Sequence, residues 1–240
     1  MNPTSRRTWM QEIIRALCVC IFVSLPAAAQ SPDNVVPVSA EVNHRIRFDN
    51  GKVRMYEVEL PKGKSTAFHE HALDNFAVQL ATTTRANEPR GGQRVDASVQ
   101  AGQVGFASTA KGPYTHRVDA TGDVPFRVIA MEIFGASKLE KDAVHVKRSA
   151  PFTVAVPENP RGQAYRLILK TGETSGSFER PANTAVFAIR GGRTSELIDG
   201  KAPRLWDSET GSFRWTDEPL RLSIRNEGPT DVEFVEIEVF

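Results

Sequence analysis

Gly63-Lys64-Ser65-Thr66-Ala67-Phe68-His69-Glu70-His71-Ala72-Leu73-Asp74-Asn75 is the stretch from which the rest of the chain can be read. In a β-strand successive side chains alternate faces, so His69 and His71 point one way and Glu70 the other. The whole sequence holds only five histidines. A third, His116, lies in another strand-like stretch. Three imidazoles converging inside a small barrel would make a transition-metal site; an isolated H-x-H on a solvated strand would do nothing. The surroundings decide between the two.

Outward from this stretch the sequence reads almost entirely as strands. Val42 to Phe48 alternates, Asp49-Asn50-Gly51-Lys52 is a hairpin turn, and Val53 to Leu60 alternates again. Pro61-Lys62-Gly63 turns the chain into the histidine stretch. Phe76 to Leu80 reads as a strand, polar Thr82 to Gln93 as a loop, and Val95 to Val99 as a short strand. Turns at Gly102 and Gly112-Pro113 lead to a strand beginning at His116, and Pro125 to Phe134 is a long apolar strand. No convincing helical period appears. Many short strands with closely spaced Gly and Pro turns predict a sandwich or barrel.

Gly63-x5-His69-x-His71-x3-Asn75, followed by Gly105-x10-His116, resembles the two motifs of the cupin superfamily. That resemblance implies a double-stranded β-helix, or jelly-roll, barrel. It also implies a metal held by His69, His71 and His116, with Asn75 where the family has a Glu ligand. Other departures are Thr82 for the closing Gly of the first motif, and Lys111, Pro113 and Ala120 for the Pro, Gly and Asn of the second. The expected cofactor is one divalent transition metal, Fe, Mn, Ni, Cu or Zn, open to a small-molecule ligand or substrate. Gln79 shares a face with Asn75 in an unbroken strand and is the candidate to support the ligands from behind. Asp74 reaches the site only if the register slips by one. Tyr114 and Lys111 precede His116 in a loop within reach of the barrel mouth; the plainer reading of both is a surface loop pair. His44 and His145 read as ordinary strand or surface histidines.

The second half repeats the first. Tyr165 to Gly172 echoes Tyr56 to Gly63 at an offset of 109 residues, and Arg221 to Gly228 echoes Thr115 to Gly122 at an offset of 106. The fold expected is therefore all-β, two tandem cupin-type barrels, residues 30–135 and 151–240, joined by a charged linker, residues 136–150. The ligands do not repeat: Phe178, Arg180, Thr184 and Leu222 stand at the places of His69, His71, Asn75 and His116. The second barrel is expected to bind no metal, to fill its centre and to serve packing. A rival reading keeps Arg180 as an anion-binding group in a metal-free pocket.

Residues 1–29 read as a leader. Arg6, Arg7 and Arg15 precede the apolar run Ala16 to Leu25, and Ala27-Ala28-Ala29 is an A-x-A-type cleavage site, predicting a periplasmic or secreted protein. Ser5-Arg6-Arg7-Thr8-Trp9-Met10 also resembles a twin-arginine signal. Cleavage would remove both cysteines, Cys18 and Cys20, excluding disulfides and thiolate chemistry from the mature chain. Losing Arg6, Arg7, Arg15 and Glu12 leaves 27 basic and 28 acidic residues, a net charge of −1. No basic excess for nucleic acid exists, and no second apolar run is long enough for a membrane. A homo-oligomer is compatible with the sequence. An enzyme (oxygenase, isomerase or lyase), a non-catalytic binder of a small ligand and a structural protein with vestigial histidines all remain open, with no catalytic residue assigned.

Overall fold

The computed structural model describes residues 34–135 and 147–240; the expected leader and His145 lie outside them. The first half contains β1 (Val35–Pro37), β2 (His44–Asp49), β3 (Val53–Leu60), β4 (Phe68–His71), β5 (Asn75–Gln79), β6 (Thr83–Pro89), β7 (Val95–Val99), β8 (Val104–Ala107), β9 (Tyr114–Ala120) and β10 (Phe126–Ile133). The second contains β11 (Phe152–Asn159), β12 (Gly162–Leu169), β13 (Phe178–Arg180), β14 (Thr184–Arg190), β15 (Gly192–Ile198), β16 (Arg204–Ser208), β17 (Phe213–Thr216), β18 (Leu220–Asn226) and β19 (Val232–Val239). Among the described residues the helical structure is a single 3-10 turn, Val38–Ala40.

Each half is two facing sheets. The first pairs β1-β4-β9-β6-β7 against β2-β3-β10-β5-β8; the second pairs β13-β18-β15-β16 against β11-β12-β19-β14-β17. Strand for strand, β2 to β10 and β11 to β19 have the same order, so the repeat seen in the sequence is a repeat of topology. The register agrees: His69 pairs with His116 in the first barrel, and Phe178 pairs with Leu222 in the second. These are two cupin-type jelly rolls in tandem.

Local chemistry explains the turns. Gly51 and Gly63 close the β2–β3 and β3–β4 turns with φ of +76°, a conformation that only glycine adopts without strain. The side chains of Asp49 and Asn50 accept backbone N–H bonds across the first turn.

The largest apolar cluster lies between the barrels. Met55, Phe76 and Met131 from β3, β5 and β10 meet Phe187, Val235 and Ile237 from β14 and β19. The central strands β3, β10 and β5 of the sheet β2-β3-β10-β5-β8 are thus buried on both faces, which explains why β10 reads as an almost continuous apolar run rather than an alternating one. The alternate residues of the same strands, Val58, Ala77 and Val128, face the interior of the first barrel.

One strand departs from expectation. Thr83–Pro89, read as a loop because it is polar, is β6, paired with both β7 and β9. Its polar residues are there because Arg85 and Asn87 face the barrel interior.

Candidate metal centre

His69 and His71 are buried on β4 while Glu70 between them is exposed, as alternation requires. Antiparallel pairing of β4 with β9 sets His116 directly opposite His69. The ring centroids of His69 and His116 are 4.5 Å apart, and Nε2 of His71 lies 3.2 Å from Nε2 of His116. Two imidazole nitrogens sharing an ion at ordinary bond lengths are about 3.0 Å apart at a right angle and about 3.4 Å apart at a tetrahedral one. The observed spacing falls between. The three histidines predicted to converge do so.

A fourth joins them. His44, at the start of β2, has its ring centroid 4.5 Å from that of His69, and the ligating atoms of His44, His69 and His71 all lie within 4.8 Å of one another. Reading His44 as an ordinary strand histidine was therefore wrong. The cause of the miss is physical: a single His far upstream of the motif shows no spacing relation to it, and only the β2–β3 hairpin carries it to the barrel interior.

Hydrogen bonds fix the ring tautomers. Nδ1 of His44 donates to the Glu41 carboxylate (2.7 Å), Nδ1 of His69 to the Ala67 carbonyl (3.0 Å), and Nδ1 of His116 to Oδ1 of Asn87 (2.6 Å). All three acceptors lack a proton at that atom, so each ring keeps its proton on Nδ1 and presents an unprotonated Nε2 to the interior. Nδ1 of His71 is buried without a partner. Such buried, oriented and partly orphaned imidazoles suit a divalent transition metal. Burial, reinforced by the neighbouring rings, pushes the pKa of His69 down to about 4, of His71 to about 3 and of His116 to about 2. These three rings are neutral at physiological pH, the state that coordinates. Burial would raise the Glu41 pKa, but the bonds from His44, Ala67 N–H and Asn43 outweigh it and hold the carboxyl at about 2.

The remaining predicted residues take varied places. Asn75 lines the cavity; its amide nitrogen donates to the Tyr114 hydroxyl (2.9 Å) and its oxygen is the atom left to face an ion. Gln79 also lines the cavity but is bonded to none of the histidines; Asn87 and Glu41 hold that supporting position instead. Tyr114 is not a surface loop residue: it belongs to β9 and stacks on His71 at 4.7 Å. Lys111 is exposed, as expected. Asp74 points away, accepting from Thr109 and pairing with Arg161. Glu132, hidden in the apolar run of β10, is buried beside Asn75 and accepts from the Tyr56 hydroxyl (2.9 Å); burial raises its pKa.

The second barrel replaces this centre with an ionic cluster. Arg180, at the place of His71, is fully buried and bonds both oxygens of Glu236 and one of Glu196. Glu236 stands at the place of Ala130 and Glu196 at that of Asn87. Arg148, from the linker, adds bonds to Glu236 and Glu238 and packs over the rings of Phe152, Tyr165 and Phe178. The expected filled centre is present, but charge fills much of it. Arg180 already has its anions, which removes the reading of it as a binding group for an external one.

The chain has the tandem cupin fold. Over 80% of its length it superposes on 90% of AerE from Microcystis aeruginosa (TM-score 0.60, 10% identity). It also matches Lactobacillus farciminis oxalate decarboxylase in its formate complex, 84% of each chain being covered (TM-score 0.54, 11% identity). A Bacillus subtilis oxalate decarboxylase, described by its Mn(II) centres, matches over 78% of this chain and 68% of that one (TM-score 0.50, 12% identity). At such identities the likeness is one of fold. No family model matches the sequence, and no curated protein matches it by sequence.

Proposed function

We propose that this is an exported metal protein whose first barrel binds one divalent transition metal through His69, His71 and His116, with His44 as a fourth imidazole. The observation that carries the reading is the convergence of four rings whose Nδ1 atoms, in three cases, are already occupied by fixed acceptors. Surface histidines have no reason to be so arranged. The leader sequence supports export, and among the described residues no helix is long and apolar enough to cross a membrane. The Mn(II) named for the Bacillus subtilis neighbour puts manganese among the candidates with Fe, Ni, Cu and Zn.

The site is that of a small-molecule enzyme rather than a store for metal. The rings open onto a cavity of about 100 Å³ with walls of Val58, Val118 and Val128, which the metal alone would not need. A bound metal would supply Lewis acidity at this end of the cavity. The chain supplies the orientation of the rings, exclusion of water by the apolar walls, and a hydrogen-bonded pair, Tyr56 donating to Glu132, behind Asn75. Elemental analysis of untagged protein from the exported fraction tests the reading. About one metal per chain is expected, with loss of most of it in His71→Ala and His116→Ala. Metal-free wild type after incubation with each of the five ions would refute it.

A further inference from the structure

The inward faces of the first barrel run from polar to apolar to polar. Along β5 the cavity residues are Asn75, Ala77 and Gln79; along β9 they are Tyr114, His116 and Val118. The histidines hold one end. At the other, β6 contributes Arg85, two residues before the Asn87 that orients His116, and paired across the ladder with Ala120. Gln79 approaches the same end, where β5 pairs with Val128 of β10.

Both polar residues are unsatisfied. Nη1 of Arg85 and Oε1 of Gln79 are buried without a hydrogen-bond partner. Among the described residues Arg85 forms no ion pair; its Cζ lies 6.0 Å from the centroid of the Phe126 ring. Among the described residues no carboxylate lines the cavity. Arg85 as a whole is half-buried, but its Nη1 is fully enclosed. Drawing a guanidinium out of water without an anion is costly, and among the described residues Arg180, also in a barrel interior, is matched by two glutamates. Arg85 is the exception, and it faces a cavity.

We propose that Arg85 is the anchor for a small carboxylate ligand, whose carboxylate lies on the guanidinium and whose other end reaches toward the histidine cluster. This rests on reading the cavity as a ligand site. The fork of Arg matches a carboxylate bidentately, and Gln79, with its amide turned over, donates a further bond. The valine walls between the two ends fit a short aliphatic segment. The cavity volume limits the ligand to a few heavy atoms. Arg85 is thereby a binding residue that selects acids over the corresponding amides.

The test uses the full chain, metal-free and Mn(II)-loaded, with acetate, propanoate and propanamide as probes in calorimetric titration. At least one of the two acids is expected to bind wild type, with propanamide and Arg85→Gln each weaker by about tenfold or more, about 1.4 kcal/mol. Metal content measured on the same samples should be unchanged by Arg85→Gln, which separates this claim from that of the metal centre. Arg85→Met should raise the melting temperature of the ligand-free protein, because it removes an unpaired buried charge. Equal binding of acid and amide, equal binding by Arg85→Gln, no binding of either acid, or a fall in the melting temperature of Arg85→Met would each overturn the proposal.

Discussion

Replacing Arg180 by Met removes the centre of the second barrel's ionic cluster while keeping most of the side-chain volume. Arg180 is 0% exposed and donates three bonds, two to Glu236 and one to Glu196, at 3.1, 2.7 and 2.7 Å. Removing one partner of a buried pair costs about 3–5 kcal/mol. Here the carboxylates are not wholly orphaned: Glu236 keeps Arg148, and Glu196 keeps Arg204 and Arg214. The low end, about 3 kcal/mol, is therefore expected. In a chain of this size that lowers the melting temperature by about 6–12 °C. Thermal unfolding followed by circular dichroism reads the change, with metal content measured in parallel and expected to stay at the wild-type level. An unchanged melting temperature would refute the idea that this cluster replaces the lost centre as a structural element. Loss of metal would refute the separation of the two barrel interiors.

Three further outcomes follow from the first barrel. His44→Ala should weaken metal binding by about tenfold or more in a competition with a chelator, because it removes one imidazole from the cluster and one of the bonds that hold Glu41; unchanged affinity would return His44 to a purely structural role. Acid should destabilise the metal-free protein earlier than carboxylate chemistry alone would. The folded rings resist protonation, so the unfolded chain takes up protons first as the pH falls below about 6.5, and stability is lost progressively from there. For His69, whose folded pKa is about 4, this amounts to about 3 kcal/mol by pH 4, and a flat melting temperature between about pH 7 and pH 5 would contradict it. Asn75→Glu should tighten metal binding by placing a carboxylate beside the rings, read in the same chelator competition; weaker binding would mean that residue 75 serves the site only through Tyr114.

Much of this was legible in the sequence because alternation is a strong constraint. His69 and His71 had to share a face, and the echo of Tyr56–Gly63 in Tyr165–Gly172 required a second barrel of the same topology. What stayed hidden depended on partners far away in the chain. His44 reaches the cluster only through the hairpin that precedes it. The segment Thr83–Pro89 lacks the apolar alternation of a strand because its inward residues, Arg85 and Asn87, are polar, the first lining the cavity and the second bonded to His116. Arg180 was located correctly, but its neutralising glutamates lie on β15 and β19 and could not be assigned to it from spacing. The leader, the mature start near Gln30 and the cellular address rest on residues 1–33, outside the described structure.

Crystals of the protein grown with Mn(II) or Co(II), with diffraction recorded at the metal's absorption edge, test the central claim directly. The account predicts one strong anomalous peak per chain, about 2.1 Å from Nε2 of imidazoles drawn from His69, His71, His116 and His44, and no peak in the second barrel. A peak only at surface residues, or none in the first barrel of a metal-soaked crystal, would contradict it.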